Sequence, residues 1–246
     1  MNLVIDIGNS SIKAAVFEDG GIVAHVHVEE AEWQSALAEL CAKGTVERVL
    51  ICSVSEIPSG LMDYVCGHGG QTQILGPDTR LPYINKYRSP QTLGADRMAA
   101  VAGAMMLWPK QNLLVVDVGS CVTYDVLCYD GSYSYLGGSI APGYKMRLLA
   151  MHEHTARLPL VEAAGETPVV GYDTPTAMRS GALRGIEYEI CGYYNQLIER
   201  YGAVKLVLTG GDASLVKENS GLRDAEDDLL VLRGLDYILR YNEEDN

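Results

Sequence analysis

The chain carries one local shape twice, and that repetition constrains its fold more than any other feature. Leu3-Val4-Ile5-Asp6-Ile7-Gly8-Asn9-Ser10-Ser11-Ile12-Lys13 reads as a short apolar strand that reaches an acid and breaks into a small polar turn. Leu113-Leu114-Val115-Val116-Asp117-Val118-Gly119-Ser120-Cys121-Val122-Thr123 repeats it 111 residues later. Each copy leads into another strand and then a glycine hairpin, Asp19-Gly20-Gly21 in the first case and Tyr129-Asp130-Gly131 in the second. Two related lobes facing one another across a phosphate-bearing ligand are the economical expectation.

Between the hairpins the pattern alternates strands with helices, which indicates α/β layering. Helices are expected at Glu32–Lys43 with Gly44 as C-cap, Ser55–Gly69, Arg97–Trp108, Tyr144–His154, Ser180–Tyr201 and Asp227–Tyr241. Gly137–Gly143 reads as a glycine-rich bend and Val204–Asp212 as a final strand and tight turn. The connector Pro109-Lys110-Gln111-Asn112 sets the expected boundary, giving lobes 1–111 and 112–246, with the closing helix free to pack back on the first. Residues 76–97 hold many turn residues and little periodicity, and a loop of that length is usually functional.

At 246 residues there is room for two modest cores. A net charge of −13 argues against nonspecific binding to nucleic acid or an anionic membrane, because both need a basic surface. Six scattered cysteines form no C-x-x-C pair and read as small core hydrophobes. The longest apolar run, Met98–Trp108, is too short to span a bilayer, and a cytoplasmic location is expected. The acidic end 242–246 reads as a solvated tail.

The turns carry the chemistry. Gly8 is read as supplying a positive φ that aims successive N–H groups into one concavity suited to an anion. Ser10 and Ser11 add hydroxyls, and Lys13 adds a charge within reach of a β- or γ-phosphate. Asp6 would repel phosphate directly and is better suited to hold Mg²⁺ through water. Asp117, Ser120 and Thr123 form the opposing copy, with Asp117 as a second cation site. Thr209-Gly210-Gly211-Asp212 would let an adenine or ribose lie against backbone. Asp96 and Arg97 open an apolar helix, where an acid caps the helix or acts as a base. His25 and His27 share a strand face; with no third ligand nearby, that face reads as solvated.

Six ordered blocks resemble the type III pantothenate kinases, bacterial enzymes of the actin-like, sugar-kinase-like ATPase superfamily. They are Asp6–Lys13; Asn85-x-Tyr87-x-x-Pro90-x-x-Leu93-Gly94-Ala95-Asp96-Arg97; Asp117-x-Gly119-Ser120-x-x-Thr123-x-Asp125; Gly137-Gly138-x-Ile140-x-Pro142-Gly143; Thr155-Ala156-x-Leu158-Pro159; and Gly171-x-Asp173-Thr174-x-x-Ala177-Met178-x-Ser180-Gly181. The resemblance covers nearly the whole chain. It implies two duplicated actin-like (ribonuclease H-like) α/β lobes with mixed sheets and a cleft between them, and ATP-dependent phosphorylation of pantothenate to 4'-phosphopantothenate, the first step towards coenzyme A.

By matching motif, Asp6, Ile7, Gly8, Asn9, Ser10, Ser11, Ile12 and Lys13 would bind ATP together with Ser120. Asp96 would be the catalytic base, and Tyr87, Gly94, Ala95, Asp96, Arg97 and Thr174 would hold pantothenate. Asp117 would ligate a monovalent cation, K⁺ or NH₄⁺, and Asp6 would hold Mg²⁺ through water. A homodimer is implied, with Thr174 reaching the partner's pantothenate, and the Met98–Trp108 and 180–201 helices carry enough hydrophobic surface to supply an interface. Ser10 and Ser120 stand where the family usually has Thr, and Cys121 is less usual in its turn. A nucleotide-binding regulatory protein without turnover and a sugar or short-acid kinase are the alternatives; the first would be expected to lose Asp6, Asp96 or Asp117, and all three are present.

Overall fold

Strand β1 (Asn2–Ile7) buries side chains on both faces, so it must be covered from two sides. In the computed structural model, which describes residues 1–68, 70–220 and 225–243, β1 is the middle strand of a five-stranded mixed sheet. It pairs antiparallel with β2 (Ile12–Glu18), which pairs antiparallel with β3 (Gly21–Val28) through a turn in which Asp19 (φ 49°) and Gly20 (φ 78°) are both left-handed. On its other side β1 runs parallel to β4 (Arg48–Ser53), which runs parallel to β5 (Gln71–Ile74). Leu3, Ile5 and Ile7 join Ile12, Ala14, Val49 and Ile51 against helices α1 (Trp33–Cys41) and α2 (Leu61–Gly67). The period-2 alternation therefore leaves Val4 and Asp6 on the opposite face. Next come the short strand β6 (Ile84–Asn85) and helix α3 (Ala95–Leu107).

The second sheet repeats the plan. β7 (Asn112–Val118) pairs antiparallel with β8 (Cys121–Tyr129), whose other neighbour is β9 (Tyr133–Pro142). After helices α4 (Tyr144–Glu153) and α5 (Thr174–Tyr201), β10 (Val204–Thr209) returns parallel to β7. Helix α6 (Ala213–Ser220) leads to β11 (Ala225–Glu226), parallel to β10. This sheet has six strands, with β6 added parallel to β9 at its edge; its other five, in the order β9-β8-β7-β10-β11, trace the same path as β3-β2-β1-β4-β5. Leu114, Val116 and Val118 face a core built from α4, α5 and α6.

The chain separates into two compact units, Met1–Lys110 with Tyr129–Tyr135 and Leu229–Asn246, and Gln111–Cys128 with Leu136–Asp228. Helix α7 (Leu230–Tyr241) belongs to the first and packs on α3. The crossing is tight because both helices carry glycine there: a Cβ at Gly234 would collide with the Ala99 carbonyl, and one at Gly103 with the Leu230 carbonyl. A mid-helix glycine costs about 0.5–1 kcal/mol, offset here by close helix contact. Asn2 is tied to the same face, donating to Asp236 at 2.9 Å, and Asp236 pairs with Arg240 at 2.8 Å.

Several expectations change. The apolar helix α3 buries Ala95 and Arg97–Met105 within its own unit, so it has no free face for a partner, whereas α5 keeps Tyr188, Tyr193 and Ile198 exposed. Helix α2 starts only at Leu61, because Gly60 at φ 81° sets its entry. Helix α1 is capped by Ala42 rather than Gly44. Gly137–Pro142 is not a bend but the end of β9. Helix α5 starts six residues before the expected Ser180, at Thr174. Of the expected solvated tail, Asn242 donates to the carbonyls of Ile238 at 2.8 Å and Arg80 at 2.9 Å, and Glu243 pairs with Arg48. Residues 244–246 lie outside the described residues, as does Gly69 at the end of the expected second helix. The six cysteines form no disulfide. Among the described residues no helix is long and apolar enough to cross a membrane.

Candidate active site

One register row crosses the first sheet. His27 on β3 stands opposite Lys13 on β2, Lys13 opposite Asp6 on β1, and Asp6 opposite Cys52 on β4. Directly paired residues share a face, so these four polar side chains line up on the side away from the α1–α2 core. This is the side that α3 and α7 cover. The first turn of α3 supplies Asp96, near enough for its charge to act on Asp6.

The electrostatics of the row follow from that placement. Asp6 keeps part of its surface open, but its carboxyl lies among protein atoms. Burial and then the Asp96 charge push its pKa up to about 6, against the lowering effects of Lys13 and the Cys52 thiol, which donates to it. Burial, both carboxylates and that hydrogen bond raise the Cys52 thiol well above its usual range. Partial burial and Lys13 hold the His27 imidazole below its usual value. Two acids held together in a partly dry site are poised to receive a cation.

The turn between β1 and β2 contains Gly8, Asn9, Ser10 and Ser11, closed by the Gly8 N–H donating to the Ser11 carbonyl at 3.0 Å. Ile7 and Ile12 are buried on either side, while Asn9 and Ser10 are exposed. Gly8 is not in the left-handed region, which corrects the positive φ expected of it. The turn closes without one, and a Cβ at Gly8 would meet only the Ser11 carbonyl, at 3.3 Å. The Ser55 hydroxyl donates to the Gly8 carbonyl at 3.0 Å and steadies the turn from the β4 side.

Gly94, Ala95 and Arg97 accompany Asp96. Gly94 is the N-cap of α3, where a Cβ would collide with the Asp96 carboxyl. Arg97 is 5% exposed, and its guanidinium lies 5.8 Å from the Tyr87 ring centre. Tyr87 and Tyr83 each lie 6.1 Å from the buried ring of Tyr135. The Pro-rich loop is therefore anchored through aromatic rings to the chain around Asp96.

The second unit holds the other copy. Asp117 on β7 stands opposite Thr123 and Thr209. Its turn is closed by the Gly119 N–H donating to Cys121 at 2.9 Å, and exposed Ser120 accepts the Gly143 N–H at 3.1 Å through its carbonyl. Gly143 and Gly210 pack on this turn so closely that a Cβ on either would meet backbone or the Asp117 carboxyl; Gly210 also has φ 100°. Of the paired glycines, only Gly211 leaves space open, with no atom within 4 Å of an added Cβ. Thr174 is exposed at the first residue of α5, behind Asp173, which accepts the Thr176 N–H at 2.8 Å in a capping box.

Sequence reasoning missed Cys52 and treated His27 as a solvated face. Strand alternation could have put Cys52 on the face of Asp6, but only the register shows that His27, Lys13, Asp6 and Cys52 form one row.

The family model described as type III pantothenate kinase matches residues 2–196. A type III pantothenate kinase of Bacteroides fragilis strain YCH46 is 40% identical over 242 residues, covering 98% of both chains. One from Porphyromonas gingivalis strain ATCC 33277 is 36% identical over 246 residues, again with 98% of both chains covered. Among solved structures, a ROK family glucokinase from Streptomyces griseus, in complex with glucose and AMPPNP, superposes with TM-score 0.51 at 14% identity over 98% of each chain. Component A of the Acidaminococcus fermentans (R)-2-hydroxyglutaryl-CoA dehydratase gives 0.53 at 16% identity, over 100% of this chain and 99% of that one. These two likenesses concern the fold, the two-lobed actin-like and sugar-kinase-like type. With the family model spanning most of its length, the chain belongs to the type III pantothenate kinase family.

Proposed function

We propose that this protein transfers the γ-phosphoryl group of ATP to the hydroxymethyl oxygen of pantothenate, giving 4'-phosphopantothenate. The observation that carries this reading within the site is the Asp6–Asp96 pair beside Lys13, set next to a donor-lined turn. Phosphoryl transfer depends mostly on positioning and charge neutralisation, so a chain that fixes donors, a cation and two acids together has the parts it needs.

In this reading residues 6–13 grip the triphosphate. The N–H groups of Asn9–Ser11 and the hydroxyls of Ser10 and Ser11 face phosphate oxygens, and Lys13 neutralises charge at the β- and γ-phosphates. Ser120 contributes a hydroxyl from the second turn, and the space beside Gly211 accepts the nucleoside. Asp96 takes the proton from the pantothenate hydroxymethyl group, while Tyr87, Gly94, Ala95 and Arg97 hold the substrate. Thr174 contributes to pantothenate binding across a homodimer.

Two cations fit the residues present. The raised pKa of Asp6 reflects burial and then the Asp96 charge beside it, which a divalent cation would relieve. Among the described residues no group of three or more His, Cys, Asp or Glu side chains could hold a metal. The Asp6 and Asp96 carboxylates suit Mg²⁺, which keeps most of its water and is held by one or two carboxylates with the substrate phosphates. When bound, Mg²⁺ neutralises charge on the phosphates. At Asp117 a carboxylate and the nearby Val118 carbonyl present hard oxygens around Gly210, a donor set suited to K⁺ or NH₄⁺. The cytoplasm, where ATP is abundant, is the proposed location.

The test is a coupled ADP-release assay with pantothenate set against a panel of sugars and short acids. Release that depends on pantothenate supports the reading. Release with a sugar alone would make it a kinase of another substrate, and nucleotide binding without release would make it a regulatory protein.

A further inference from the structure

Ser11 is held twice. Its carbonyl accepts the Gly8 N–H at 3.0 Å, and its hydroxyl is hydrogen-bonded to Nε2 of His27 at 2.8 Å. His27 reaches the turn from another strand, because the β2–β3 register puts it directly opposite Lys13. β3 is the edge of the sheet, and His27 lies on its exposed side, where the ring fills no core. Its firm contact is therefore with the turn, and it shares the face of Lys13 and Asp6.

We propose that His27 is a positioning residue of the nucleotide site, fixing the Ser11 side chain and through it the turn formed by Gly8–Ser11. A partly exposed serine with no such partner samples three rotamers, and a ligand must select one of them. Holding that rotamer before the ligand arrives lowers the ordering cost of binding. With Nε2–H donating to Ser11 Oγ, the serine O–H is left to donate to a phosphate oxygen. The ring stands beside Lys13, so the two nitrogen-bearing side chains border the turn from the same side. The ligand class is a nucleoside triphosphate, and His27 acts on it through Ser11.

This inference rests on the nucleotide reading of the turn, and the experiment separates the two. Mg-ATP binding is measured by titration calorimetry, and KM and kcat by ADP release, for wild type, His27→Ala, His27→Gln, Ser11→Ala and the His27→Ala/Ser11→Ala double variant. One lost hydrogen bond predicts that His27→Ala weakens Mg-ATP binding and raises KM for ATP about 3- to 10-fold. kcat at saturation and KM for pantothenate stay near wild type, and the melting temperature is unchanged. Gln, whose amide reaches the place of Nε2, restores most of the affinity. The double variant binds no more weakly than Ser11→Ala, since the two residues act as one unit. Wild-type affinity in His27→Ala, or additive losses in the double variant, would overturn the proposal. If wild type binds Mg-ATP in a His27-dependent way but leaves pantothenate untouched, the proposed reaction falls and this inference stands. If wild type phosphorylates pantothenate and His27→Ala matches it, the reverse holds. A wild type that binds no Mg-ATP removes both.

Discussion

The turn after β1 and the turn after β7 share a backbone plan and differ in almost every side chain that matters. The first places four residues between the paired Ile7 and Ile12; the second places three between Val118 and Val122. Opposite the acid, the first unit has Lys13 and Cys52, and the second has Thr123 and Thr209. The first turn is open, with nothing but the Ser11 carbonyl near a Cβ on Gly8, whereas Gly143 and Gly210 crowd the second. A duplicated frame keeps its strand register while its turns diverge; in the proposed function the first copy grips an anion beside two acids and the second holds a monovalent cation. The longer turn offers more N–H groups, and the lysine one row away makes it cationic.

If that contrast is right, the two acids fail differently. Asp6→Asn should lower kcat/KM for ATP by about 10² or more, on the scale of removing a group that neutralises transition-state charge. Asp117→Asn should raise the K⁺ concentration needed for half-activity about tenfold, the worth of a charged contact, with saturating K⁺ restoring most turnover. Equal losses from both at saturating K⁺ would erase the asymmetry.

Glycine substitutions separate the turns by stability. Gly210→Ala forces an L-residue to φ 100° against Asp117 and Val118, and should cost about 2–4 kcal/mol in denaturant unfolding. Gly8→Ala should cost about 1 kcal/mol or less, because its neighbour at 3.3 Å needs only a small shift. A Gly8→Ala loss as large as that of Gly210→Ala would show the first turn to be equally crowded.

The smallest effect concerns pH. Asp6 has a folded pKa of about 6 against 3.8 for the free side chain. A raised acid binds its proton more tightly when folded, so its stability contribution is full below 3.8 and is lost as pH rises through about 6. The difference in unfolding free energy between wild type and Asp6→Asn, without cations, should therefore shift against wild type by about 1–3 kcal/mol from about pH 4 to pH 7. A flat difference would mean that burial and the Asp96 charge do not raise the Asp6 carboxyl in the folded chain.

Much of the frame was legible in the residues. The repeated strand–acid–glycine shape announced two copies of one sheet, and the Asp-Gly-Gly hairpin announced the β2–β3 turn, because each depends on local chemistry. The short strands β5, β6 and β11 were not legible, since two to four residues carry too little periodicity and form only because a neighbour offers its edge. Helix α5 was placed late although Asp173 and Pro175 mark a start, as an N-cap acid and an early proline do. Helix α3 looked like an interface because it is apolar on all sides; α7, nearly 130 residues on, explains that pattern. Within the candidate site Asp6, Lys13 and Asp96 could be named from their turns. The places of Cys52 and His27 depend on which residue stands opposite which, and strand register is set by long-range pairing.

Asp96, in the first turn of α3 and close enough for its charge to act on Asp6, is the proposed base of the reaction. Its most direct test is kcat for Asp96→Asn with saturating ATP and pantothenate, alongside pantothenate binding by calorimetry. A general base contributes about 10²–10⁴-fold, so kcat should fall at least 10²-fold while pantothenate still binds. A variant that turns over at the wild-type rate would contradict the account.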